Sequence, residues 1–230
     1  MTADDIIALL LVYSLIGATL ATYIILERRG SGLDTRKVVH IMIGNFVFVW
    51  WMFSESWIML VFFVLPFGAL VLAAAIAAGR GKGGMVGDMS LKGHRLGLFF
   101  YVISIGVLAS LFPDHLAAAS VGIVAMTYGD GFGSIIGKAF GKRRMLNGKT
   151  LEGSLGVFAA TAVMTLVVVG FYCLLASWGL YAPMYGAAPV WMLAPAAGVC
   201  AAVLEAVTPG DYDNLTIPIV TAALMFLLGL

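Results

Sequence analysis

Apolar runs of about 20 residues recur along the whole chain, and no other feature constrains the fold as strongly. A helix of that length crosses a bilayer core of about 30 Å. Composition agrees: 62% of the 230 residues are hydrophobic and 11% are charged, where soluble domains carry about 25% charged residues. The expected fold is all-α, a polytopic integral membrane helical bundle. Apolar segments fall at 5–26, 38–53, 57–78, 96–112, 116–140, 154–176, 188–206 and 215–230. The second and last are short, so the expectation is seven to eight transmembrane helices, the eighth segment being a span or a re-entrant piece. Eight spans of roughly 20 residues leave room for loops but not for a soluble domain. Residues 1–230 therefore read as a single transmembrane domain. Cys173 and Cys200 lie in apolar runs, which argues against a disulfide framework or a zinc site. The N-terminus, Met-Thr-Ala-Asp-Asp, is acidic where a cleavable signal peptide needs positive charge.

Charge placement gives the orientation. All thirteen Lys and Arg residues fall in the connections after the first, third and fifth segments: 28–37, 80–95 and 138–149. The positive-inside rule places those connections in the cytoplasm and the N-terminus outside. Arg28, Arg29, Arg80 and Lys82 read as topology determinants and lipid anchors. A net charge of +1 gives no bias toward nucleic acid.

The carboxylates carry more information, because topology does not require them. Glu27, Asp34, Asp88, Asp130, Glu152, Glu205, Asp211 and Asp213 all belong to the same face. Several sit at or inside apolar runs, where an ionisable group is costly and marks a functional site. Clustering on one face argues against a transporter, which needs a charge pathway through the bilayer. The halves show no evident repeat.

Four segments hold the candidate chemistry. Tyr128-Gly129-Asp130-Gly131-Phe132-Gly133-Ser134 surrounds one carboxylate with glycines, which should weaken the helix and let backbone approach a ligand. A buried Asp130 needs a metal ion or a basic partner; the plainer reading is a cap on a broken helix. Next comes a basic turn with Lys138, Lys142, Arg143 and Arg144, then Gly148-Lys149-Thr150-Leu151-Glu152-Gly153-Ser154. Lys149 and Thr150 at a helix start could hold a phosphate, and Glu152 part of a divalent cation's oxygen shell. Their plainer roles are Thr150 as N-cap and Glu152 as a first-turn dipole partner. Neither a P-loop nor a dinucleotide fingerprint fits: Arg143 stands where the P-loop needs glycine, and the glycines lack a strand context.

The third segment, Arg36-Lys37-Val38-Val39-His40, puts Arg36 and His40 on one helical face. His40 could be a base or a phosphate donor, or a merely solvated interfacial residue. In the fourth, Asp211, Asp213 and Asn214 stand where the chain re-enters the membrane after Glu205. His94 and His115 read as loop residues and Trp50-Trp51 as an interfacial belt.

Together these motifs resemble the membrane lipid kinases that include dolichol kinase, phytol kinase and CTP-dependent diacylglycerol kinase. The likeness rests on Arg36–His40, on Gly129-Asp130-Gly131 with Gly137, Gly141 and Gly148–Ser154, and on Asp213-Asn214-Leu215-Thr216-Ile217-Pro218. The central segment is shared with phosphatidate cytidylyltransferases, but their C-terminal signature is missing. The resemblance implies transfer of the γ-phosphoryl group of CTP to the hydroxyl of a long-chain isoprenoid alcohol, in a cell or endoplasmic-reticulum-type membrane at its cytoplasmic face. It implies Mg²⁺ on Asp130, Glu152 and Asp213, with Asp130, Lys149, Glu152 and His40 at the chemistry. Arg36, Lys138, Arg143, Arg144, Thr150, Gly131, Gly133 and Asn214 would bind nucleotide and phosphate. The partners would be CTP, a membrane lipid alcohol and the bilayer, with no nucleic acid and the oligomeric state open. The alternatives are a cytidylyltransferase making a CDP-lipid, and a non-catalytic transporter or lipid-binding protein.

Overall fold

The computed structural model describes residues 1–30, 34–80, 96–184 and 186–230. Within them the chain is helical, and each expected apolar segment is a helix or helical run. These are α1 (Ala3–Arg28), α2 (Thr35–Gly44), α3 (Ser56–Ala78), α4 (Gly97–Leu111), α5 (Leu116–Val124), α6 (Asp130–Phe140), α7 (Leu151–Ser177), α8 (Val190–Val207) and α9 (Asp213–Leu227). Four of them, α1, α3, α7 and α8, are long and apolar enough to cross a membrane. The 15-residue α4 is apolar but shorter. A π-helical turn, Ala125–Gly129, joins α5 to α6 in one continuous run. Asp88, Lys82, Lys92, His94 and Arg95 lie outside the described residues.

α1 shows how such a helix is specified. Ala8, Val12, Ile16, Thr19 and Tyr23 form a buried stripe, while Leu10, Leu11 and Ile7 on the other face are exposed. A helix apolar all round with one face buried presents the other to lipid. Its start is pinned at depth. Asp5 is buried and accepts hydrogen bonds from Thr2 N (2.5 Å), Ser54 N (2.7 Å) and Ser54 Oγ (2.9 Å). This ties α1 to the turn before α3.

Two expectations are corrected. Trp50 is not a belt residue: it is buried at 1% exposure against Phe46, with ring centroids 5.3 Å apart, and Trp51 Nε1 donates to the Phe48 carbonyl. The glycines around Asp130 do not break the helical run: Gly131 and Gly133 lie within α6, and the only departure from α geometry there is the π-helical turn that ends at Gly129. Gly129, Gly133 and Gly137 lie four residues apart on one face of this run and let α7 come close. A Cβ at Gly133 would strike Val157 and stand 3.1 Å from the Gly153 carbonyl oxygen, and one at Gly129 would strike Thr161 Oγ1. Small residues at this spacing are how helices approach in lipid, where no hydrophobic force drives them together.

α6 and α8 both pack on α7, α9 packs on α5 and α4, and α1 packs on α2. The starts of α2, α7 and α9, the end of α8 and one side of α6 from Asp130 to Lys138 border a common cavity. Leu96 N, before α4, donates to Asp211 Oδ2 at the same end (2.9 Å).

Gly133→Leu should separate α6 from α7 and lower stability by at least about 1–3 kcal/mol. Gly17→Leu, where nothing lies within 4 Å of the added carbon, should change it little. Thermal unfolding of both variants in detergent checks the contrast.

Candidate functional site

The site is built on a buried charge pair. Lys37, in the first turn of α2, bonds through Nζ to Asp130 Oδ2 at the start of α6, and the two side chains are 7% and 5% exposed. Gly131 makes the meeting sterically feasible: a Cβ there would lie 2.8 Å from Ile41 Cγ1, so only glycine lets α2 settle this close. Asp34 caps α2 by accepting from Lys37 N (3.4 Å). Its other oxygen takes the Lys138 ammonium (2.5 Å). Although Asp34 is partly buried, which opposes ionisation, Lys138 holds its carboxyl below the usual carboxylate range.

Lys149 arrives on a clamped loop. Met145 N donates to the Lys149 carbonyl (2.8 Å) and Leu151 N to that of Arg143 (2.9 Å), a short hairpin-like pairing. Its tip turns through Asn147 at φ +55° and Gly148 at φ +74°. Asn tolerates that left-handed backbone better than most residues. Its Nδ2 then donates to the carbonyls of Ala206 (3.2 Å) and Val207 (3.1 Å), the last of α8. Thus placed, Lys149 Nζ reaches Glu205 Oε1 at 2.7 Å and Asp213 Oδ2 at 3.7 Å. Ser154 Oγ donates to Glu205 Oε2 (3.2 Å). Burial opposes the ammonium charge of Lys149, but Asp130, Glu205 and Asp213 outweigh it and raise its pKa. The lysine stays cationic through neutral pH.

These groups border a cavity of about 770 Å³. Arg36, Lys37, Lys138, Arg144 and Lys149 line it against Asp130, Glu205 and Asp213, a formal excess of two positive charges. Such a lining suits a polyphosphate. Among the described residues, no group of three or more His, Cys, Asp and Glu side chains could hold a metal ion alone. Mg²⁺ needs only one or two carboxylates when phosphates complete its shell. The buried Asp213 Oδ1, which has no hydrogen-bond partner, fits that role beside Asp130.

Of the residues expected from sequence, Asp130, Lys149, Arg36, Lys138, Arg144, Thr150, Gly133 and Asp213 border the cavity. Thr150 also keeps its capping role, accepting from Gly153 N (3.1 Å). Glu152 is not brought to the carboxylates: its Oε2 accepts from Lys142 N (3.0 Å) and Arg143 N (3.2 Å), which fixes the basic turn. Arg143 is exposed and outside the lining. Gly131 faces Ile41, and Gly133 serves mainly the α6–α7 contact. Asn214 stays behind the wall, where a Cβ on Gly97 would meet Asp211, Asn214 and Arg36. His40 is outside the lining: its ring is buried edge-on against Tyr101, with centroids 4.4 Å apart, and Nε2 has no hydrogen-bond partner. Sequence reasoning left Lys37 and Glu205 out of the site. The need of Asp130 for a basic partner was the signal for the first, and a carboxylate against an apolar run the signal for the second.

Asp130→Asn should cost about 3–5 kcal/mol by stranding the Lys37 ammonium. The double change Lys37→Met with Asp130→Leu should recover much of that stability, since apolar replacement of a buried pair is often neutral, without recovering function. Unfolding midpoints of the single and double variants, set beside an activity assay, check this.

Comparison with known proteins follows the geometry. Phytol kinase of Synechocystis sp. is 29% identical over 194 residues, 82% of this chain and 76% of that protein. CTP-dependent diacylglycerol kinase 1 of Schizosaccharomyces pombe is 33% identical over 141 residues, 57% of this chain and 60% of that protein. No family model and no solved structure matches the chain. Over most of its length this chain is therefore similar to proteins named as phytol kinase and CTP-dependent diacylglycerol kinase.

Proposed function

We propose that this protein is a CTP-dependent lipid kinase that transfers the γ-phosphoryl group to the hydroxyl of a long-chain isoprenoid alcohol. The observation that carries this reading is the cavity with an excess of cations, among them the buried Lys37 and the half-buried Lys149, set at the end of an apolar bundle. A triphosphate needs that charge, and a membrane alcohol needs those helices. The name of the diacylglycerol kinase relative supports CTP as donor, and that of the phytol kinase supports an isoprenoid acceptor. The gathering of all Lys and Arg in three connections supports a cytoplasmic site with the N-terminus outside.

Phosphoryl transfer asks the protein for positioning and charge neutralisation more than for covalent help. Lys149, Arg144 and Lys138 would hold the phosphate chain. Lys37 would neutralise charge at the transferring group while Asp130 keeps it in place. Asp130 and Asp213 would hold Mg²⁺, which when bound supplies further charge neutralisation across the phosphates. The lipid oxygen forms a new bond to the γ-phosphorus as the bond to the β,γ-bridging oxygen breaks. CDP leaves with that electron pair, and a base removes the hydroxyl proton.

The test is the purified full chain in detergent with Mg²⁺, lipid alcohols and CTP labelled at the α- or γ-phosphate. Label entering lipid from the γ position is expected. Label from the α position with pyrophosphate released would make the protein a cytidylyltransferase and overturn the reading. Lys149→Ala should lower kcat/KM by roughly 10²–10³, the cost of losing one preorganised charge-stabilising group, with the protein still folded. Chelation with EDTA should abolish transfer, and added Mg²⁺ should restore it.

A further inference from the structure

The basic turn after α6 holds two cations that the phosphate cavity does not use. Lys142 and Arg143 are exposed, and neither borders the cavity, whereas Arg144 does. The backbone is extended here, with an antiparallel bridge between Arg144 and Thr150, and successive side chains of an extended segment leave on opposite sides. Arg144 turns toward the cavity, so Arg143 and Met145 turn away from it. Glu152 Oε2 accepts from the backbone N–H groups of Lys142 (3.0 Å) and Arg143 (3.2 Å). The turn is thus fixed through its backbone, and fixing it does not call on either cationic side chain.

The same turn exposes large apolar side chains beside those cations: Phe140 at 67%, Met145 at 42% and Leu146 at 65%. Apolar groups gathered in this way on a surface mark an interaction site. The helix that leads into the turn says with what. Phe132, Ile135 and Ala139 are exposed at spacings of three and four residues, which puts them on one outer face of α6. That helix ends the apolar run 116–140, so the lipid that covers its outer face reaches Phe140 as well. An apolar surface that leaves the bilayer and ends in two cations matches the boundary between acyl chains and phosphate groups. We propose that the turn 140–146 docks on anionic phospholipid headgroups. Lys142 and Arg143 pair with their phosphates, and Phe140, Met145 and Leu146 sit at the acyl boundary.

Docking there sets the depth of the cavity. Gly141, Arg144 and Gly148 belong to the same turn, are exposed and border the cavity. The turn does not move apart from its neighbours. A Cβ on Gly141 would strike the Gly137 carbonyl oxygen and stand 2.7 Å from Thr150 Cγ2, and Asn147 is bonded to the last carbonyls of α8. Holding Lys142 and Arg143 in the phosphate layer therefore holds the rim of the cavity at headgroup level, where the hydroxyl of a membrane alcohol also lies. That consequence rests on the lipid-kinase reading, whereas the docking itself is measured without donor or acceptor.

The experiment uses the full chain in phosphatidylcholine nanodiscs that contain phosphatidylglycerol with a diazirine on its headgroup. After irradiation, peptide mass spectrometry should find adducts within residues 140–146, and raising the salt concentration should reduce them. A cation near an anionic membrane surface is worth roughly fivefold in affinity, so Lys142→Gln with Arg143→Gln should lower labelling of the turn at least about tenfold. Phe140→Ser with Leu146→Ser, which keeps both cations, should lower it as well. CTP binding and thermal unfolding should stay unchanged in both double variants. Adducts confined to other segments, equal labelling by a phosphatidylcholine diazirine, or undiminished labelling after both cations are removed would overturn the proposal. Loss of CTP binding in Lys142→Gln with Arg143→Gln would overturn it too, by assigning those cations to the nucleotide. Adducts in the turn with no transfer from CTP would uphold it and overturn the donor reading instead.

Discussion

The bond between Lys37 and Asp130 is the contact on which the site end of this protein depends. Neither charge is tolerable alone at that depth, and each is supplied by a different helix, 93 residues apart in sequence. The pair therefore fixes how α2 sits on α6, and with it the placement of Arg36 on the cavity. Gly131 is the steric counterpart of that electrostatic demand, because a side chain there would hold Ile41, and hence α2, away. A buried ion pair is weak support for stability. Here its value lies in specifying one arrangement of helices that lipid alone would leave undetermined.

Much of this was legible in the sequence, and the limits have physical causes. Apolar run length found every helix, since each span satisfies its own backbone hydrogen bonds and needs no partner to be a helix. Which of those runs is long enough to cross a membrane was less evident: four meet the criterion of length and apolarity, and α2 as a regular helix stops after ten residues, at Gly44. The gathering of carboxylates and cations at one end was also legible, because connections alternate between the two sides. What single-chain pattern could not give is the direction in which a polar side chain turns. Glu152 looked like a metal ligand because it follows Lys149 and Thr150, yet it answers the nearer need of two free backbone N–H groups. His40 shares a helical face with Arg36, but its ring is buried edge-on against Tyr101 and outside the lining of the cavity.

The glycines teach the same lesson. Their density around Asp130 suggested backbone laid open to a ligand, whereas most of them are occupied by neighbouring helices. Gly129, Gly133 and Gly137 receive α7, and Gly131 receives α2. In a bilayer, helices gain contact mainly by close approach, so a glycine-rich stretch in an apolar run can record packing as readily as binding. The irregular backbone is the π-helical turn Ala125–Gly129, which overlaps the glycine segment only at Tyr128 and Gly129.

The loop carrying Lys149 is gripped on both flanks: Glu152 of α7 holds its entry, and Asn147 hangs its tip from the final carbonyls of α8. Lys149 in turn holds Glu205, which belongs to that same α8. Loop, α7 and α8 thus make a closed truss in which no member shifts without loading the others. A cation mounted this way needs little reorganisation when an anion arrives, so the electrostatic work is done while the protein folds and not while the ligand waits.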